Sequence, residues 1–251
     1  MPNTNINDTF FDGYYKEIWR AIIPEELTKK EVDFMLPYFN LQTGSKVLDL
    51  MCGYGRHTIA LAKKGIHVTA VDNLADYVDE IKKVIEEEKL PINAIKNDVI
   101  TFTNNEVFDL AICMGNSLIF FNPEDVVKLF KNVASHLKQG SNFLINSISI
   151  AEIEAKNFKE KSSVEVGELK LLVDSKFLLF PSRIEIDSII TAPNGETESK
   201  HSIDYIYSIN ETEYMLKDAG FILKEVYSIP GRKRFTLGDP RAYLVAEKSK
   251  M

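Results

Sequence analysis

The rhythm of apolar and polar positions changes twice along the chain. From about residue 46 to residue 150, short apolar runs alternate with segments of helical period. "KVLDL", "HVTAV", "INAIK", "VFDLAICM" and "NFLINSISI" read as strands. "GRHTIALAKKG" reads as a helix stopped by Gly65, and "LADYVDEIKKVIEEEKL" as a helix ended by Pro91. "NPEDVVKLFKNVASHLKQG" reads as a helix with Asn122 at its N-cap, Pro123 in its first turn and Gly140 at its C-cap. Such alternation calls for an α/β fold: a doubly wound, mostly parallel sheet with helices on both faces.

The flanks follow other rules. Residues 8 to 40 read as helical, with Leu27, Val32, Phe34, Met35 and Leu36 at roughly helical spacing and Pro37 near the end. After Ile150, "AEIEAKNFKEK" predicts a short helix. "ELKLLVDSKFLLF", "SRIEIDSIIT" and "SKHSIDYIYS" then predict antiparallel strands over about 165 to 208, with Asn194-Gly195 as a hairpin turn. "INETEYMLKDAG" predicts a helix opened by a Ser208/Glu211 capping box and closed by Gly220. "FILKEVYSI" and "RAYLVAEK" close the pattern as a C-terminal antiparallel hairpin. The expected organisation is one domain over 1–251. It has a helical N-terminal segment (1–40), a core (41–150), an antiparallel β insertion (151–208), and a last helix with closing strands (209–251).

Bulk properties narrow the partners. A formal net charge of −7 argues against a polyanionic partner, so no nucleic acid is expected. The one basic run, "GRKRF" with Arg232, Lys233 and Arg234, reads as a solvated loop. Two cysteines, Cys52 and Cys113, offer no disulfide framework and fit a reducing compartment. The start of the chain lacks a signal-peptide pattern, and no apolar run is long enough for a bilayer. A cytoplasmic location without membrane contact is expected. The oligomeric state stays open.

The chemistry concentrates in "VLDLMCGYGRHTIALAKKG". A strand carrying Asp49 runs into Gly53 and Gly55 and then into a helix, so a ligand can approach the backbone closely. The next strand ends in Asp72, nineteen residues after Gly53, where a carboxylate can accept from both hydroxyls of a ribose. A nicotinamide dinucleotide would favour a third glycine, where Thr58 stands. A carboxylate at Asp49, four residues before Gly53, would repel a pyrophosphate and suit a cationic ligand.

At these residues, "DLMCGYG" above all, the chain resembles the class I S-adenosylmethionine-dependent methyltransferases, and among them the small bacterial relatives of glycine N-methyltransferase. The resemblance covers residues 40 to 150, and 205 to 248 by topology. It implies a Rossmann-like fold with an N-terminal helical lid and S-adenosylmethionine as cofactor. Asp49 and the backbone of Met51, Cys52 and Gly53, in the loop that Gly55 closes, would hold the methionine end. Asp72 would take the ribose and Asn73 would flank the adenine. Asp98 would accept from the adenine amine, beside the Val99 N–H. Met114, Gly115 and Asn116 would line the transfer side. "FFDGYYKEIW" would be the lid, with Tyr14, Tyr15 and Trp19 offering π faces to the sulfonium.

Each residue also has a plainer reading. Asp98 and Asn116 are common turn and cap residues, Cys52 is a small packing group, and His57 is a polar helix start. Tyr14, Tyr15 and Trp19 fit the packed face of an amphipathic helix.

Methyl transfer from a sulfonium needs alignment and water exclusion more than a strong base, and no catalytic residue stands out. "MGNSLIFF" after the fourth strand lacks the Asn/Asp-Pro-Pro-aromatic motif of base and glutamine methylation. It also lacks the acid of metal-assisted catechol chemistry, so no metal is expected. A small-molecule N-, O- or C-acceptor is the expectation. A protein or RNA acceptor and a non-catalytic cofactor-binding protein are the alternatives. Within the insertion, Arg183, His201, Tyr205 and Tyr207 are candidates for the acceptor pocket.

Overall fold

The computed structural model describes residues 5–249. A 3-10 turn over Ile6–Thr9 precedes helices α1 (Gly13–Ile22) and α2 (Glu25–Tyr38). The core then runs β1 (Lys46–Leu50), α3 (Arg56–Ala62), β2 (His67–Asp72), α4 (Ala75–Glu88), β3 (Ile92–Lys96), β4 (Phe108–Cys113), α5 (Pro123–His136) and β5 (Leu137–Ser147). Next come α6 (Ala151–Asn157) and the strands β6 (Lys161–Val166), β7 (Leu169–Leu179), β8 (Ser182–Thr191) and β9 (Thr197–Tyr205). The chain ends with α7 (Ile209–Asp218), β10 (Phe221–Ile229), β11 (Lys233–Arg234) and β12 (Ala242–Lys248).

The eight-stranded sheet has the order β11-β10-β12-β5-β4-β1-β2-β3. Pairs from β3 to β5 are parallel and those from β5 to β11 antiparallel. The expected α/β fold is therefore present. Strand alternation sends Val47, Leu110 and Ile112 to one face, against Val32 and Met35 of α2 and Leu61 of α3. Leu48, Leu50, Ala111 and Cys113 go to the other, against Val126, Leu129 and Phe130 of α5 and Leu216 of α7. The strand order reverses between β1 and β4, which leaves a crevice at their carboxyl ends where open α/β sheets bind ligands.

β6 to β9 form a separate antiparallel sheet, linked to α1 by a small apolar cluster of Ile18, Leu171 and Ile190, all buried, with Tyr14 and Tyr15 packed against it. The Asn194-Gly195 turn joins β8 to β9, with Gly195 N–H donating to the Ala192 carbonyl at 2.9 Å. The Ser208/Glu211 capping box opens α7 as expected.

Three readings are corrected. The N-terminal helical stretch is broken at Ile23–Pro24 into two helices, because Pro24 has no N–H to continue the first. Gly140 does not cap α5, which stops at His136. Leu137 is instead buried beside Phe108 at the start of β5. The insertion has four strands rather than three, because the polar stretch "KSSVEV" pairs with β7 through its backbone. No helix among the described residues is long and apolar enough to cross a membrane.

Candidate functional site

A cavity of about 380 Å³ opens at the carboxyl ends of β1, β2 and β4, at the reversal of strand order. Its wall includes Asp49, Met51, Cys52, Gly53, Asp72, Asn73, Asp98, Val99, Met114, Gly115 and Trp19, so most of the expected residues converge on it. The sheet brings them together because each lies at or just past a strand end.

The glycine loop is shaped by backbone conformation. Met51 (φ 53°) and Gly53 (φ 54°) lie in the left-handed region, which is costly for Met51 and free for glycine. A Cβ on Gly53 would meet nothing within 4 Å, so its backbone presents an open face. Gly53 N–H donates to Asp72 Oδ2 at 2.8 Å and Leu74 N–H to Oδ1 at 3.0 Å. These bonds fix the Asp72 carboxylate and leave each oxygen a lone pair. Burial pushes Asp72 above the usual carboxylate range, against the backbone N–H donors of Leu74, Gly53 and Asn73.

Asp49 is 2 % exposed and accepts from Thr58 Oγ1 at 2.6 Å. Burial pushes it up to about 7, against the Thr58 hydrogen bond and the Arg56 charge. A buried carboxylate whose hydrogen-bond donors all come from Thr58 is a place where a cation gains most. Burial, with Asp49 and Asp72 nearby, raises the Cys52 thiol well above its ordinary value, which fits a packing group rather than a nucleophile.

Asp98 is exposed and accepts from Ile100 N–H at 2.7 Å, an Asx turn. Asn73 Nδ2 donates to Asp8 Oδ1 at 2.7 Å, which ties the β2 end to the N-terminal segment. That segment crosses the mouth as a strap. Asn7 Nδ2 donates to the carbonyls of Ile203 (2.8 Å) and Phe120 (3.3 Å), and Ile203 N–H donates to Asn7 Oδ1. Lys16 and Arg20 both pair with Glu80 of α4, and Arg20 lies 4.6 Å from the Tyr54 ring centroid. Trp19 stands over the end of β4, its Cζ2 3.8 Å from where a Cβ on Gly115 would be.

Four expected residues lie outside the wall, Tyr14 among them, packed against the Ile18 cluster with its hydroxyl donating to Glu196 at 3.0 Å. Tyr15 packs on Phe10 (ring centroids 4.2 Å) and joins the Ile18 cluster, as its amphipathic-helix reading has it. Gly55 makes room for α4, since a Cβ there would fall 2.7 Å from Ile81 Cγ1. Asn116 is a clamp: its Oδ1 accepts from Ser147 Oγ (2.8 Å) and Ile148 N–H (2.9 Å) and its Nδ2 donates to Ser149 Oγ (3.1 Å). Of the insertion candidates only Tyr205 reaches the cavity. Tyr207 is buried and donates to the Phe121 carbonyl at 2.6 Å, Arg183 pairs with Glu185, and His201 with Asp187.

Sequence reasoning passed over Asn7, Asp8, Phe11, Tyr54, Tyr77 and Phe120, all on the wall. Only Phe11, inside the aromatic "FFDGYYKEIW" stretch, carried a legible signal. Glu31 was missed entirely. It is fully buried on α2, 2.7 Å from Arg56 and 2.8 Å from His57, both on the wall. Tyr243 donates to its other oxygen at 2.7 Å. Burial would raise Glu31, but His57, Arg56 and the Tyr243 hydroxyl outweigh it and hold the carboxyl at about 2. Burial and Arg56 push His57 down, so its neutral ring donates Nε2–H to the carboxylate.

Comparison with known proteins agrees with this geometry. Residues 47–140 match the family model described as "Methyltransferase domain". The putative methyltransferase YqeM of Bacillus subtilis (strain 168) is 25% identical over 229 residues, covering 84% of this chain and 87% of YqeM. A ubiquinone biosynthesis O-methyltransferase of Coxiella burnetii (strain Dugway 5J108-111) is 34% identical over 125 residues, 49% of this chain and 50% of that protein, so the match spans about half the relative's length. Among solved structures, an S-adenosylmethionine-dependent methyltransferase from Clostridium acetobutylicum ATCC 824 superposes with a TM-score of 0.81 at 20% identity, over 94% of this chain and 97% of that one. CalS10, an amino pentose methyltransferase from Micromonospora echinaspora, does so with a TM-score of 0.70 at 15% identity, over 95% and 98%. With its domain match over residues 47–140, its sheet order and its glycine loop at the carboxyl end of β1, the chain carries a methyltransferase domain and has the fold of the S-adenosylmethionine-dependent methyltransferases.

Proposed function

We propose that the chain methylates a small molecule, using S-adenosylmethionine as donor, and that an amine is the preferred acceptor. When bound, the donor supplies an activated methyl group on sulfur. The residues of the chain have to hold it, align the acceptor and exclude water. In this reading Asp72 takes the ribose hydroxyls, and Asp98 with the Val99 N–H takes the adenine edge beside Asn73. The backbone of Met51, Cys52 and Gly53 holds the methionine end, with Asp49 facing the positive charge. Met114, Gly115 and Trp19 border the transfer side.

The observation that carries the acceptor class is closure. The strap spans the mouth from the insertion sheet to α4, with Trp19 against Gly115. Such a covered site admits a small molecule more readily than a folded protein or an RNA duplex. The preference for an amine rests on Asp204 of β9, half-buried and next in the chain to Tyr205 of the cavity wall. Burial pushes it up to about 7, with Glu154 adding to the rise. A half-buried carboxylate with a raised pKa beside the cavity wall is a counter-charge for an ammonium and a sink for the proton that leaves it on methylation. CalS10 and a sugar N-methyltransferase from Streptoalloteichus share the fold, which is consistent with this reading.

The test is transfer of a labelled methyl group to pooled small amines, phenols and acids, with peptides and RNA in parallel, followed by mass identification of the product. Label in a small amine supports the reading, and Asp204→Asn should then lower turnover of that amine while donor affinity stays close to wild type. Label only in RNA or protein would refute it. Donor binding with no transfer to any pool would mark a non-catalytic binder.

A further inference from the structure

The donor cavity is acidic, with Asp8, Asp49, Asp72, Asp98 and Asp125 on its wall, and Arg56 is the only lysine or arginine among the described residues lining it. An unneutralised guanidinium there would oppose a cationic ligand. Behind the wall stands Glu31, with no exposure and both oxygens committed. Oε2 takes Arg56 at 2.7 Å and His57 at 2.8 Å. Oε1 takes the Tyr243 hydroxyl at 2.7 Å, with Arg241 at 3.7 Å. Thr28 Oγ1, one turn earlier on α2, accepts from the same Arg56 Nη1 at 2.9 Å and fixes its direction. Arg56 itself is largely buried, so little water screens it.

We propose that Glu31 sets the charge of the donor site: by neutralising Arg56 from behind, it lets the cavity favour a sulfonium over the neutral thioether left after methyl transfer. Glu31 touches no ligand and acts through Arg56, so it is a positioning and charge-setting residue. The arrangement bears on turnover as well as binding. A site that holds the spent thioether as tightly as the charged donor is inhibited by its own product. Two unit charges about 10 Å apart interact by roughly 0.4 to 1.7 kcal/mol across effective dielectric constants from 80 to 20, so removing one charge should alter discrimination roughly two- to twentyfold.

The inference rests on S-adenosylmethionine being the donor, and the test separates the two. Dissociation constants of S-adenosylmethionine and S-adenosylhomocysteine are measured by calorimetry on the full chain at pH 8.5, above the value of about 7 to which burial pushes Asp49. If the wild type binds neither, the donor reading fails. If it binds both, Glu31→Gln should raise the ratio of the sulfonium constant to the thioether constant by that factor, while Glu31→Asp, which keeps the charge, leaves the ratio near wild type even if both affinities drop. Arg56→Gln, in which Arg241 and Tyr243 still hold Glu31, should move the ratio the opposite way. It decides the matter if Glu31→Gln does not fold. Equal weakening of both ligands in Glu31→Gln, or an unchanged or raised ratio in Arg56→Gln, overturns the proposal and leaves Glu31 a structural anchor.

Discussion

The parallel core and the antiparallel insertion are held in different ways. In the core, β1 and β4 are covered on both faces, and residues such as Leu48, Leu110 and Ile112 have essentially no exposure. The insertion sheet is a single layer. One face meets α1 through Ile18, Leu171 and Ile190, and the other leaves Leu172 and Ile189 exposed. Much of its attachment to the strap is polar: Asn7 to Ile203, the Tyr14 N–H to Glu198 (3.0 Å), and Lys200 to Asp12. The half that carries the glycine loop is thus made rigid by burial. The half proposed to meet the acceptor hangs on a small cluster and on hydrogen bonds that water can replace. Regions that open to admit ligands are drawn from the less stable part of a fold.

Equivalent truncations in the two halves should separate them most sharply. Ile112→Ala and Ile190→Ala each remove a fully buried side chain, for which about 2–5 kcal/mol is usual. The core substitution should lower global stability by that amount, read by denaturant unfolding. The insertion substitution should show mainly as loss of hydrogen-exchange protection in β7 to β9 and α1, with β1 and β4 still protected. A global loss of the same size from both would show one cooperative unit and end the distinction.

A smaller effect is expected on donor binding. Asp72→Ala removes the carboxylate fixed by Gly53 and Leu74 and should weaken S-adenosylmethionine by about 1.5–3 kcal/mol, the usual worth of hydrogen bonds to a charged group. Calorimetry that finds less than a threefold loss would remove Asp72 from the ribose role.

The pH dependence probes both halves at once. Asp49 in the core and Asp204 in the insertion are each pushed up to about 7 by burial. An unfolded aspartate titrates near 3.9, so between about pH 4 and 7 the folded chain holds more protons than the unfolded one. Stability from these two groups is therefore greatest at low pH, falls as pH rises through that window and is level above it. Thermal unfolding of the ligand-free chain should show this fall between pH 5 and 8. Asp49→Asn should flatten one share and Asp204→Asn the other. An unchanged slope in both variants would assign the dependence to other groups.

The smallest expected signal is optical. Trp19, the only tryptophan, lies on the cavity wall in the strap. S-Adenosylmethionine should quench or shift its emission and slow proteolysis of residues 8 to 22. Unchanged emission, with equal protection in the free protein, would make the strap fixed packing.

Much of the cavity wall was legible beforehand because its signals are local. Asp49, Gly53 and Asp72 announce themselves by spacing along a strand–loop–helix–strand unit, and a parallel sheet puts strand ends together whatever the rest of the chain does. Asn116 and Tyr15 lie off that wall for a related reason. The residue type is visible in sequence, but the direction of the side chain depends on partners such as Ser147 and Phe10, which come from elsewhere.

By itself, then, the sequence determined the elements, the alternation that forces a parallel sheet, and the loop that must meet a ligand. All of these follow from periods of two and 3.6 residues and from the backbone freedom of glycine. Only tertiary structure decided where the strap lies and that Glu31, Arg56, His57, Arg241 and Tyr243 form one buried network, because α2, α3 and β12 are far apart in the chain and no local pattern records which of them pack together. Burial then gives Glu31 its meaning: on an exposed helix face the same carboxylate would be screened, whereas here it must be satisfied by the groups that border the site.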